Sequence, residues 1–243
     1  MSARLASFAT LIAIAFTGYC IADIAHEMLG HGGACLASGG RVVLVDTTFA
    51  DCTIRSRWID GAGPVLGIIV ALLAWIAARR FANQNLRVFF GLVFAYAIFW
   101  NVGYMVKSGI GFTGDWHFLI LGLKPANVWH AILIGTGVVL YIVAIRMLAF
   151  AWPSGEGMKP TAFAITAFVA AAALSAAGGY SDPRGLQTIL SDALPSSLAA
   201  FGLVIVGART SQQVAVLPSV AWMVAGFACA AIFVAILGPG LRF

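Results

Sequence analysis

The nine residues Asp23-Ile-Ala-His26-Glu27-Met-Leu-Gly-His31 put two imidazoles and two carboxylates at the end of a run that is otherwise lipid-like. Ionisable side chains at membrane depth are costly, and they persist where they face a cavity, pair with one another or bind something. The chemistry open to this set is that of a metal: His26 and His31 as ligands, with Glu27 beside them to activate a water. A hydrolytic zinc site needs about three protein ligands, an open position and a carboxylate that can take the proton of the attacking water. In the common His-Glu-x-x-His arrangement the histidines are four apart and share one helix face. Here the second histidine comes one residue later, which at about 100° per residue leaves the rings roughly 140° apart on a regular helix. A π-bulge absorbs one extra residue and would bring them together, as would a helix that ends at Gly30.

A third ligand must come from elsewhere in the chain. Asp115 lies in the glycine-rich stretch Lys107-Ser-Gly-Ile-Gly-Phe-Thr-Gly-Asp115-Trp116-His117, where the backbone can bend toward a site. Irregular backbone of this kind is tolerated at membrane depth only where protein or a cavity satisfies it. Asp115 is the candidate ligand and His117 its rival. Asp23 stands one helical turn before His26 and Glu27; it either completes a buried polar network with them or orients a metal-bound His26 from behind. Asn101 either hydrogen-bonds a substrate carbonyl or an oxyanion or joins two helices.

The elements that position these groups follow from composition. Of 243 residues, 61 % are apolar and only 9 % charged, with a mean hydropathy of +0.97, which reads as an all-α polytopic membrane protein. With about 20 apolar residues per span, about six transmembrane helices fit, near residues 5–29, 61–78, 86–106, 126–150, 160–177 and 220–237. The first run is too long for a signal-peptide core and has no small-x-small cleavage site, so it reads as a retained helix. Residues 182–207 read as an interfacial helix running into a short or re-entrant piece. Between the first two spans the β-branched run Arg41–Thr48, bounded by glycines, reads as a small β hairpin. Residues 1–125 form the metal-binding membrane core, and 126–243 add further helices to the same domain.

The net charge of +5 is spread over the ends of apolar runs, which is membrane anchoring and gives no nucleic-acid surface. The expected partners are the bilayer and a membrane-protein or peptide substrate, and the expected location is a multi-pass position in the cell membrane. Basic residues divide evenly between the two faces; the three arginines around the turn after the second span favour a cytoplasmic N-terminus. Cys35 and Cys52 flank one polar segment and can bond if it faces an oxidising compartment. Whatever the orientation, span one leaves the membrane at the His-Glu cluster, span two returns and span three emerges before Asp115. His26, Glu27, His31 and Asp115 therefore reach the same face.

His-Glu-Met-Leu-Gly-His is similar to the His-Glu-x-x-Gly-His motif of the dipeptidyl peptidase III family, in which the longer spacing binds zinc; that likeness covers six residues. A broader resemblance is to the site-2-protease-like membrane metallopeptidases. Their order of features is a His-Glu motif on a transmembrane helix, a small β segment, a Gly-Pro helix start and a later Asp ligand. The present chain resembles this in His26-Glu27…His31, Arg41–Thr48, Ala62-Gly63-Pro64 and Gly114-Asp115-Trp116, over about residues 20–117. It departs in the longer motif, in Gly67 where the family often carries Asn, and in lacking the Pro-rich Leu-Asp-Gly form around the third ligand. The resemblance implies Zn²⁺ held by His26, His31 and Asp115, and Glu27 as general base and later proton donor of an intramembrane peptidase. A zinc-dependent lipid amide or ester hydrolase is the alternative within the same chemistry. A non-enzymatic ion-binding or transport protein is the alternative outside it.

Overall fold

A computed structural model describes residues 2–243. Seven helices are long and apolar enough to cross a membrane: α1 (Ala3–Ala37), α2 (Arg57–Arg80), α3 (Gln84–Gly111), α5 (Ala126–Phe150), α6 (Pro160–Ser181), α7 (Leu186–Arg209) and α8 (Val220–Leu237). A short helix, α4 (Asp115–Ile120), follows α3. The strands β1 (Val42–Val45), β2 (Ala50–Cys52) and β3 (Leu241–Arg242) form one small antiparallel sheet in the order β2-β1-β3. The chain is an all-α polytopic membrane protein with a hairpin after its first helix.

The expected six or so spans become seven with α7, a helix of spanning length where residues 182–207 read as an interfacial helix and a short piece. The winding of α7 shifts to a π turn at Ile189–Ala193 and a 3-10 turn at Ala199–Phe201; Asp192 and Pro195 break its apolar pattern, yet over its length it is as apolar as α6. Contacts at its two ends show that it crosses. Near its start Lys107 Nζ donates to the Ser191 carbonyl oxygen at 2.6 Å, on the face of the hairpin. Beyond its end, Trp152 Nε1 donates to the Gln212 carbonyl oxygen and Met158 pairs with Val214, on the opposite face. An odd number of spans also brings the C-terminus to the hairpin face, where β3 pairs with β1. Seven spans put Arg209 on the face of the N-terminus and Arg242 on the face of the hairpin, and the even division of basic residues stands.

The core lies between α1, α3 and α6. Leu11, Ile14 and Tyr19 from α1, Leu92, Phe94, Tyr96 and Phe99 from α3, and Phe163 and Ala167 from α6 are all buried in one cluster. The central helix is α3, whose candidate spanning window is 83% buried against 17% for α8. A helix hydrophobic all round is a helix enclosed by others, so α3 is where Asn101 becomes wholly buried.

The hairpin is fastened to the helices in two ways. Cys35, in the last turn of α1, is bonded to Cys52 of β2. Arg184, after α6, bridges the buried Asp182 at 2.8 Å and the buried Asp46 at 3.5 Å. Burial pushes the Asp46 carboxyl up to about 6. For Asp182, burial acts upward too, but hydrogen bonds from Arg184 outweigh it and hold the group at about 2. Because β1 is the central strand, both its edges are filled. The free edges of the sheet belong to β2 and β3, and not to the Arg41–Thr48 run.

Candidate functional site

The extra residue between His26 and His31 is absorbed by a π-wound segment, Ala25–Gly32, inserted without a break between the α-helical parts of α1. In π winding a residue meets the one five further on. The two Nε2 atoms are accordingly 3.3 Å apart, where a regular helix would turn them away from each other.

Asp115 completes the cluster. Its Oδ2 lies 3.0 Å from His26 Nε2 and 3.5 Å from His31 Nε2. It opens α4 directly after Gly114, whose φ of 84° belongs to the left-handed region that glycine enters without strain. A Cβ at Gly114 would also overlap the Tyr104 hydroxyl. Trp116 anchors α4 from the other side, its Nε1 donating to the Asn101 carbonyl oxygen at 3.0 Å. Burial alone would raise the Asp115 carboxyl; where Nε2 of His26 or His31 carries a proton, the carboxylate accepts from the ring and is held below the usual carboxylate range.

The second ring nitrogen of each histidine fixes what Nε2 presents. His31 Nδ1 is 2.7 Å from the carbonyl oxygen of Ile59, an acceptor only, so Nδ1 carries the proton. His26 Nδ1 is 3.1 Å from Asn101 Oδ1; the Asn101 amide donates through Nδ2 to the Ala97 carbonyl oxygen at 2.7 Å, which leaves Oδ1 as the acceptor. Neutral rings in these tautomers turn two bare Nε2 lone pairs and a carboxylate oxygen toward one point. Such a set repels itself unless a cation sits between its members, either a proton on one ring or a metal ion. Ligand atoms at about 2.0–2.1 Å from a tetrahedral zinc lie about 3.3–3.4 Å apart. The three distances here, 3.0, 3.3 and 3.5 Å, bracket that spacing.

Glu27 is the neighbouring carboxylate, with Oε1 3.9 Å from His26 Nε2. It makes no side-chain hydrogen bond among the described residues and lines a cavity of about 550 Å³ together with His26, His31 and Asp115. His26, Glu27 and His31 can also be grouped as a metal-holding trio, with ligand atoms within 4.8 Å of one another. The set with Asp115 is tighter and leaves Glu27 free beside it.

The remaining sequence candidates are placed differently. Asn101 does not line the cavity; it joins α3 to α1 by holding His26. Asp23 is 1% exposed, and both of its carboxylate oxygens lack a partner, so it neither orients His26 nor closes a network with Glu27. His117 points away from the centre, into an aromatic group with Phe112 and His130, and burial together with His130 lowers its pKa.

Several contributors had no sequence signal. The Ile59 carbonyl is main chain. Trp100 stacks on His26 with ring centroids 4.5 Å apart. Gly63 sits where a Cβ would overlap the His31 ring, and Gly67 where one would overlap the Asn101 amide. The far cavity wall is built by Arg184, Asp192 and Ser196 from the second half of the chain. The glycines could have been suspected from Gly61-Ala-Gly63-Pro-Val-Leu-Gly67, a helix start rich in residues that let backbones approach.

Asn101→Ala should remove the acceptor that fixes the His26 tautomer. Zinc affinity, measured by competition with a chelator, is expected to fall about 10- to 100-fold, the usual cost of losing a group that orients a ligand. Unchanged affinity would mean that the Asn101 contact does not set the ring.

Comparisons with protein-family models, curated proteins and solved structures return no match for this chain. Its functional reading therefore rests on the site.

Proposed function

We propose that the chain is a membrane-embedded zinc-dependent hydrolase that cleaves peptide bonds in membrane-associated substrates. The observation that carries this reading is the convergence of His26, His31 and Asp115 at zinc-ligand spacing, beside an uncommitted Glu27, on the wall of an open cavity. Zinc bound there would lower the pKa of a water toward neutrality and polarise a substrate carbonyl. Glu27 takes the proton of the attacking water and passes it to the leaving amine. Asn101 and the Ile59 carbonyl hold the two rings in the tautomers that ligation requires, and Trp100 covers the face of His26. The order of His-Glu motif, small sheet, Gly-Pro helix start and Asp resembles the site-2-protease-like metallopeptidases, which favours a peptide substrate. Since a helical substrate keeps its backbone bonded to itself, its scissile segment must unwind before cleavage.

The reading includes a location in the cell membrane with the cavity open to the oxidising side. The Cys35–Cys52 bond lies on the same face as the cavity, and disulfides persist in such compartments. An impermeant maleimide added to intact cells should label Cys35 and Cys52 only after reduction. Labelling without reduction would mean that the two thiols are not bonded, and labelling only after lysis would reverse the orientation.

The activity is tested by comparing membrane-protein fragments in wild-type cells and in cells carrying Glu27→Gln. Fragments missing from the variant support a peptidase. An unchanged set of fragments with altered lipid amides or esters would replace the peptide substrate with a lipid.

A further inference from the structure

On the membrane face opposite the histidine site, a second cavity of about 560 Å³ opens where the first turns of α1 and α6 meet residues 213–218. Its wall carries Arg4, from the first turn of α1, and Lys159, the residue immediately before α6. Neither has an ion pair or a side-chain hydrogen bond among the described residues, although Glu156 lines the same cavity. Cations that merely anchor a helix at the interface have no need of an invagination between helices.

The wall is ordered by depth. At about 1.5 Å of rise per residue, Phe8 sits roughly 6 Å farther into the membrane than Arg4, and Ala162 roughly 4.5 Å farther than Lys159. Leu217 and Pro218 supply apolar surface on the third side. Positive charge at the interface over apolar surface one helical turn deeper matches a phosphate ester over its glycerol and acyl carbons. Both α1 and α6 also direct their N-terminal dipole ends to this face. Two cations against one carboxylate leave one net positive charge, complementary to a headgroup with one net negative charge. This is also the face opposite the Cys35–Cys52 bond. If that bond marks the oxidising side, the cavity faces the leaflet that carries anionic lipid.

We propose that this cavity binds one anionic phospholipid, its phosphate between Arg4 and Lys159 and its upper acyl chains against Phe8, Leu217 and Pro218. The site is separate from the histidine centre and does not depend on the hydrolase reading.

Native mass spectrometry of the full chain in detergent, titrated with phosphatidylglycerol and with phosphatidylcholine of the same acyl composition, tests it. Wild type should take up one phosphatidylglycerol in preference to phosphatidylcholine. Each of Arg4→Gln and Lys159→Gln should weaken that binding about fivefold, and the double variant roughly thirtyfold, from the usual worth of a juxtamembrane cation. Glu156→Gln should strengthen it. Equal uptake of the two lipids by wild type, or undiminished uptake by a double variant that elutes as a single species, would overturn the proposal. The zinc content of the same preparations reports on the other site independently.

Discussion

His26→Ala, His31→Ala and Asp115→Ala are each expected to empty the centre of metal, whereas Glu27→Gln keeps about one zinc per chain and loses turnover. The three ligand variants leave two donors, too few to hold zinc through purification. Gln has the size and shape of Glu, so the cavity wall is preserved, but it cannot take a proton. Loss of a positioned general base costs about 10²- to 10⁴-fold in rate. Elemental analysis of gently purified protein separates the two kinds of effect, because it needs no substrate. Wild-type protein without metal would end the zinc reading, and with it the hydrolase. A Glu27→Gln protein as empty as His26→Ala would make Glu27 a ligand, in the looser grouping of His26, Glu27 and His31. The proton would then need another acceptor.

Much of this arrangement is legible in the residues themselves. Apolar runs and the ionisable cluster among them follow from composition, and counting three spans to Asp115 puts four of the site residues on one face before any distance is known. The spacing of His26 and His31 even states the problem that the π-wound segment Ala25–Gly32 solves. What sequence conceals is of two physical kinds. One is contact between distant main-chain atoms, such as the Ile59 carbonyl at His31 Nδ1, which no side-chain type announces. The other is a polar break inside an apolar segment: Asp192 and Pro195 divide the first half of α7, although over its length the helix is as apolar as α6. The placing of Arg184, Asp192 and Ser196 in the cavity wall was hidden with it. Asp23 stands apart from both kinds. It was legible as an ionisable group at membrane depth, but its two unpartnered oxygens are not explained by the site.

Gly63→Ala should damage the centre without touching any group that bonds to metal. At the crossing of α1 and α2, Gly30 and Gly63 face each other so closely that a Cβ on Gly30 would overlap the Gly63 backbone. Small residues permit such an approach between membrane helices. A Cβ on Gly63 meets the His31 ring instead, at Nε2, the atom that turns toward His26 and Asp115. The ring has little room to yield, because its Nδ1 is tied to Ile59 O at 2.7 Å. It must give up that hydrogen bond or carry Nε2 out of reach of the other two ligand atoms. Zinc affinity is therefore expected to fall by about a hundredfold or more, at the upper end of what disturbing a ligand's surroundings costs. Gly33→Ala is the internal control: it lies in α1, two residues after His31, with helical φ and ψ and nothing within 4 Å of the added carbon. Its stability should rise by up to about 1 kcal/mol, the helix preference of Ala over Gly, and its zinc content should not change. If Gly63→Ala bound zinc as tightly as Gly33→Ala does, the close approach of α2 would have no part in holding His31, and the geometry that makes three acceptors converge would have to be sought in α1 and Asp115 alone.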